Sequence, residues 1–206
     1  MKAIVVTDPM CSWCWGMAPA IELAASQLEG EVEFDFMLGG INTHASQFIG
    51  DYGKRHLFKI WHEVAATTGQ SFGFRLPERL VYNSKLPCMA VQVVRARFGK
   101  PPFGYLHRLQ QVFFVEGRNI NDADILAHTA GDFGCDREEF LRELEDSRLI
   151  AQVADEFSSS RTYGTSALPN VLWEVDGARS LLAGGYADAQ MLVALIDVKK
   201  NSQALV

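Results

Sequence analysis

The segment Asp8-Pro9-Met10-Cys11-Ser12-Trp13-Cys14-Trp15-Gly16 constrains this chain more than any other, because of what stands on either side of it. Before it, Lys2 to Thr7 is a short apolar run rich in β-branched residues and closed by Asp8-Pro9, which predicts a buried strand ending in a loop. After it, Cys14, Ala18, Ile21, Ala25 and Leu28 recur at steps of four, three, four and three, which marks one stripe of a helix stopped by Gly30. Pro19 falls inside that helix, where it removes one backbone hydrogen bond and predicts a local kink. Glu31 to Leu38 then alternates, with Val32, Phe34, Phe36 and Leu38 on one face and Glu31, Glu33 and Asp35 on the other, before Gly39-Gly40. Strand, helix and strand in this order form a β–α–β unit with parallel strands. The two cysteines stand where the first strand hands over to the helix.

The remainder of the chain divides in two. From about Ile41 to Ser160 it reads as helix after helix: Leu57, Ile60, Trp61 and Val64 form one apolar stripe and Met89, Val93 and Ala96 contribute to another. Tyr105 to Val115 and Ala123 to Ala130 continue the pattern, Asp136 with Glu139 makes a capping pair before Phe140, and Leu149, Ile150, Val153 and Phe157 form a last stripe. Val171 to Val175 and Ala178 to Leu182 flank Asp176-Gly177, a two-residue type I′ hairpin signal. A closing helix carries Leu192, Leu195 and Ile196 inward, with Lys199 and Lys200 at its negative end. The expected class is α/β: a β–α–β half and a β–β–α half, residues 1–40 and 161–206, interrupted by a mainly helical insertion over residues 41–160.

Composition bears on partners. The net charge of −6, with basic residues scattered along the chain, argues against nucleic acid or an anionic membrane surface as a partner. The opening apolar run is too short for a secretory leader, and no stretch approaches the roughly 20 apolar residues that span a bilayer. The expectation is a soluble, cytoplasmic protein. In a reducing compartment the four cysteines, Cys11, Cys14, Cys88 and Cys135, are not expected to form a structural disulfide framework, so the close pair is catalytic or metal-binding.

A C-x-x-C at the start of a helix favours redox chemistry. Unpaired N–H groups and the positive end of the helix dipole stabilise a thiolate, which predicts a lowered pKa for Cys11 and makes it the candidate nucleophile. Cys14, one turn further and at the head of the apolar stripe, is the candidate resolving cysteine and is expected to lie deeper. In the expected cycle the Cys11 thiolate attacks a substrate disulfide, and Cys14 then displaces the reduced substrate from the mixed disulfide. Ser12 and Trp13 would tune the redox potential, and Trp13 and Trp15 could form an apolar rim for substrate. Zinc binding is the competing reading, but a second ligand pair is missing: Cys88 and Cys135 are isolated, and His44, His56, His62, His107 and His128 are scattered without evident pairing. Cys88 and Cys135 are expected to be buried small residues. Asp8 has two equal readings, a group acting on the protonation of the two thiols or a loop-ending residue before proline.

The second feature is Ala167-Leu168-Pro169-Asn170, just before the hairpin. Most X–Pro bonds are trans, so the residues alone predict a trans peptide there. Asp8-Pro9-x-Cys11-x-x-Cys14 together with Gly164-Thr165-Ser166-Ala167-Leu168-Pro169 resembles the DsbA-like branch of the thioredoxin superfamily, over essentially the whole chain. The resemblance implies a thioredoxin fold interrupted by a helical domain, a cis Pro169 packed against the cysteines, and a Leu168 backbone that pairs with extended substrate. It is nearest to the cytosolic FrnE-like and predicted protein-disulfide-isomerase members. Periplasmic relatives commonly place a His in the dipeptide; Ser12-Trp13 here implies dithiol reductase or disulfide isomerase activity instead of net oxidation. The implied substrate is a protein or small-molecule disulfide, with no bound cofactor and with glutathione or a dithiol protein as electron donor. Two other readings stand beside it: a glutathione-dependent transferase or isomerase of the kappa-like branch, in which a Ser occupies the place of Cys11, and a peptide-binding protein with incidental cysteines.

Overall fold

The structure, a computed structural model, describes residues 1–163 and 167–203. Its elements run β1 (Lys2–Thr7), α1 (Ser12–Gln27), β2 (Glu33–Leu38), α2 (Asp51–Thr68), α3 (Lys85–Phe98), α4 (Phe103–Phe114), α5 (Ala123–Gly131), α6 (Arg137–Glu143), α7 (Ser147–Ser160), β3 (Asn170–Val175), β4 (Ala178–Gly184) and α8 (Ala189–Gln203). The class is α/β. The sheet order is β2-β1-β3-β4, with β1 parallel to β2 and antiparallel to β3, and β3 antiparallel to β4. Asp176 and Gly177 both adopt positive φ, 50° and 81°, as a type I′ turn requires.

The strand period sorts the core. Ala3, Val5, Phe36, Leu38, Val171 and Trp173 join the larger core, which also takes Met17, Ile21 and Ala24 of α1 and Leu192 and Ile196 of α8. Ile4, Val6, Met37 and Leu172 face the other way and form a smaller cluster capped by Tyr163 and Leu168. Burying each such aliphatic side chain contributes about 1.5–3 kcal/mol, and because β1 is buried on both faces a one-residue slip would exchange the residues packed in the two cores.

Three details of the backbone have physical causes. First, β2 begins at Glu33; Glu31 and Val32 belong to the turn, held by Glu31 and Val32 N–H bonds to the Leu28 carbonyl at 3.0 and 3.1 Å. Second, α1 runs unbroken through Pro19. The carbonyl that proline leaves without its helical donor, that of Trp15, accepts from Gln70 Nε2 at 3.0 Å, so the loss is made good from outside the helix. Third, the region between β2 and β3 is not helical throughout: residues 41–50 and 69–84 are irregular. The second of these loops is nevertheless packed, with Phe72 and Phe74 against Trp61 and Phe72 against Phe114. Gly73 allows it to lie on the end of α4, since its N–H bonds the Phe114 carbonyl at 2.8 Å and a Cβ there would stand 2.0 Å from the Val115 carbonyl oxygen.

Candidate active site

The site forms where β1 ends. Cys11 is the N-cap of α1, in extended conformation, and its Sγ accepts the Cys14 N–H at 3.1 Å. A sulfur in this position receives one of the N–H groups that the first helical turn leaves unpaired, which stabilises negative charge on it. Cys11 and Cys14 are joined as a disulfide, with Cα atoms 5.1 Å apart. The expected difference in depth is absent in this oxidised state, in which Cys11 is 5% exposed and Cys14 4%. What separates them is surroundings: Cys14 lines a small internal cavity with Val5, Thr7, Met17 and Pro169, whereas Cys11 caps the helix.

Pro169 is buried and its peptide bond with Leu168 is cis. The loop is pinned from β4, since Gly185 N–H donates to the Pro169 carbonyl at 3.0 Å and to Asn170 Oδ1 at 3.3 Å. The Leu168 side chain covers Gly39, where an added Cβ would meet it at 2.6 Å. Among the described residues none hydrogen-bonds the Leu168 N–H or carbonyl. Gly164, Thr165 and Ser166 of the same motif lie outside the described residues.

The two tryptophans part company. Trp13 is half-buried and its ring stands 5.9 Å from that of Tyr186, in the loop between β4 and α8. Trp15 turns to the scaffold: its indole N–H donates to the Ser71 carbonyl at 3.0 Å and its ring stacks on Phe114 at 6.4 Å. Beside Ser12 opens a largely apolar cavity of about 440 Å³, with Ile41, Ile49, Leu57, Ile60 and His56 in its walls.

Asp8 is completely buried. Its carboxylate accepts the N–H of Met10 at 2.7 Å and of Ile41 at 3.1 Å, the Ser84 hydroxyl at 2.5 Å and the Cys88 thiol at 3.5 Å. Burial pushes its pKa up to about 6, against the pull of the Ser84 and Met10 hydrogen bonds. Asp8 therefore ties the redox loop to residue 41 and to the start of α3, and the Tyr82 hydroxyl strengthens the same joint by donating to the Met10 carbonyl at 2.6 Å. Cys88 is buried as expected, but as a donor to Asp8 and with its thiol pKa raised by burial and by that carboxylate. Cys135 is also buried, with its pKa raised by burial.

The sequence reading missed Ser84, Tyr186 and His107. The histidines are not all unpaired, because His107 Nδ1 lies 2.7 Å from Glu22 Oε1. His107 and Glu22 are 85 positions apart, and no local pattern announces such a pair. Among the described residues no three His, Cys, Asp or Glu side chains stand close enough to share a metal ion, and no helix is long and apolar enough to cross a membrane.

Comparison with known proteins agrees with this geometry. A family model described as thioredoxin matches residues 5–159. A Nitrosomonas europaea structure, provisionally named a protein disulfide isomerase, is 28% identical, superposes with a TM-score of 0.89 and covers 98% of each chain. The cytosolic disulfide reductase DsbM of Pseudomonas aeruginosa, also solved with glutathione, shares the fold at 24% identity, a TM-score of 0.77 and full coverage of both chains. The ClpXP adapter protein SpxH of Bacillus subtilis is 22% identical over 154 residues, which is 73% of this chain and 50% of that one, so the chain spans about half the length of this curated relative.

Proposed function

The chain belongs to the thioredoxin family, and from that premise we propose that it is a dithiol reductase or disulfide isomerase acting through Cys11 and Cys14. One observation carries the reading: Cys11 Sγ sits at the N-terminus of α1, bonded to Cys14, beside a cis Pro169 that walls the same cavity as Cys14. Cys11 attacks a disulfide of a protein or small molecule and Cys14 resolves the mixed disulfide. Substrate lies extended along the unpaired Leu168 backbone, with Trp13 and Tyr186 offering it an apolar edge and Ser12 and Trp13 setting the potential. Residues 1–40 and 161–206 form the redox unit and residues 41–160 the inserted helical unit.

Electrons come from glutathione or from a dithiol protein, in the cytoplasm. Two observations support that direction: a reductase shares the fold, and the dipeptide holds no histidine to stabilise a thiolate. The bonding of Cys11 to Cys14 favours exchange over a transferase that uses one thiol alone, and over incidental cysteines.

The test is a Cys14→Ser variant expressed in cells and captured under acid quench. Removal of the resolving sulfur leaves mixed disulfides on Cys11, which appear as adducts that dithiothreitol releases. A Cys11→Ser variant captures none. Equal yields from the two variants, or no adduct from either, would contradict the reading.

A further inference from the structure

We propose that His107, oriented by Glu22, accepts the proton of the Cys14 thiol in the resolving step, across the small cavity that Cys14 and His107 both line. The proposal rests on the disulfide-exchange reading above and adds to it the group that makes Cys14 a nucleophile.

Cys14 needs such a group because it is 4% exposed, so bulk water has little access to its sulfur. The cavity on its inner side leaves about 10 Å³ open to the centre of a water molecule, space for one water. Its walls come from β1, α1, α4 and the cis-proline loop, and apart from Thr7 and Cys14 they are apolar except at one place, His107. The imidazole also borders an outer cleft with Glu22 and Arg108, and its side chain is 17% exposed. It therefore connects the interior beside Cys14 to solvent, as a group that relays protons must.

The orientation of the ring is fixed by its partner. Nδ1 lies 2.7 Å from Glu22 Oε1; with Nδ1 donating its proton there, Nε2 is left as an acceptor. Burial lowers the His107 pKa from its ordinary value, against the pull of Glu22, so the ring is neutral and ready to accept a proton at neutral pH. The titratable and charged groups around it are Glu22 and Cys14 of α1 and Arg108 of its own helix, and Arg108 is itself bonded to Glu116 and Gln111. Asp8 is a poorer sink for the proton, since its oxygens already accept from Met10, Ile41, Ser84 and Cys88.

The step starts from the mixed disulfide Cys11–S–S–R. The Cys14 thiol passes its proton through one water to His107 Nε2, and the freed thiolate attacks Cys11 Sγ. A Cys11–Cys14 bond forms, the bond to R–S breaks, and R–S⁻ leaves with the electron pair and takes up a proton. Two electrons thus pass from the Cys11/Cys14 dithiol to the substrate disulfide, with no other reactant.

The reduced protein mixed with 5,5′-dithiobis(2-nitrobenzoate) separates the two chemical steps, because attack by Cys11 and resolution by Cys14 each release one coloured thiolate. In His107→Gln the second release should slow roughly 100-fold or more between pH 6 and 7, the scale on which a positioned base acts. The deficit should shrink as pH rises, because solvent hydroxide then takes the proton in place of the ring, and the first release should not change. Glu22→Gln, at an exposed position of α1, should slow the second release less and in the same pH range. A second release with the parent pH profile in both variants would overturn the proposal, as would a slowing equal at all pH values or shared by the first release. If the parent protein shows no first release at Cys11, the exchange reading fails and the role of His107 fails with it.

Discussion

A carboxyl group with no solvent around it, Asp8 has a cost that depends on pH. Below pH 3.8 it is protonated in folded and unfolded chains alike and makes no difference. Between 3.8 and about 6 the unfolded chain gives up the proton while the folded one keeps it, so stability falls as pH rises and the loss is complete above about 6. The interval from 3.8 to about 6 corresponds to about 3 kcal/mol. Asp8→Asn keeps an acceptor for the Met10 N–H and does not ionise. Urea unfolding at pH 4 and pH 7.5 should therefore find the variant gaining about 2.4 kcal/mol relative to the parent across that range, since at pH 4 part of the loss has already occurred. An unchanged difference would mean that the Asp8 pKa is not raised. Cys11 and Cys14 were legible from the sequence because their spacing is local. Ser84 and His107 were not, because their partners lie 76 and 85 positions away and their contacts follow from how helices dock, which no short motif encodes.

Among the elements, the strands and hairpin were readable because alternation and Asp176-Gly177 act over a few residues. Helix existence was readable too, and Asp136 caps α6 by accepting the Glu139 N–H at 2.9 Å. The segment 69–84 was not, because its irregular backbone is held by contacts with distant elements, Phe72 and Phe74 on Trp61 of α2 and Gly73 on the end of α4. A similar contact sets the cis-proline loop, where the Leu168 side chain rests on Gly39 and the Phe157 ring covers Gly40. Gly39→Ala should displace Leu168 and the loop and lower the rate of mixed-disulfide formation by up to about 100-fold, the scale for a reacting group misplaced by about 1 Å. Since the colliding atoms belong to a side-chain end, Leu168→Ala in the same chain should restore much of the rate. Stopped-flow release of the coloured thiolate measures both, and a double variant no faster than Gly39→Ala would place the defect elsewhere.

At the scale of the whole molecule, the chain divides its work. The sheet with α1 and α8 presents the cysteines and the cis proline, while the intervening region supplies what surrounds them: Ser84 and Tyr82 of the packed loop for the redox loop, Gln70 of that loop and Phe114 of α4 for Trp15, and His107 of α4 behind Cys14. The α/β class and the oxidoreductase site follow from sequence and structure together; the direction of electron flow depends on the relative stability of two redox states. The Cys11–Cys14 reduction potential, measured by equilibration in glutathione buffers with mass-spectrometric readout, tests that direction. A potential between about −200 and −270 mV, the range of dithiols that pass electrons on to substrate disulfides, is the predicted result. A value near about −120 mV, that of a strong disulfide donor, or failure of the pair to form a disulfide in any buffer, would contradict the account.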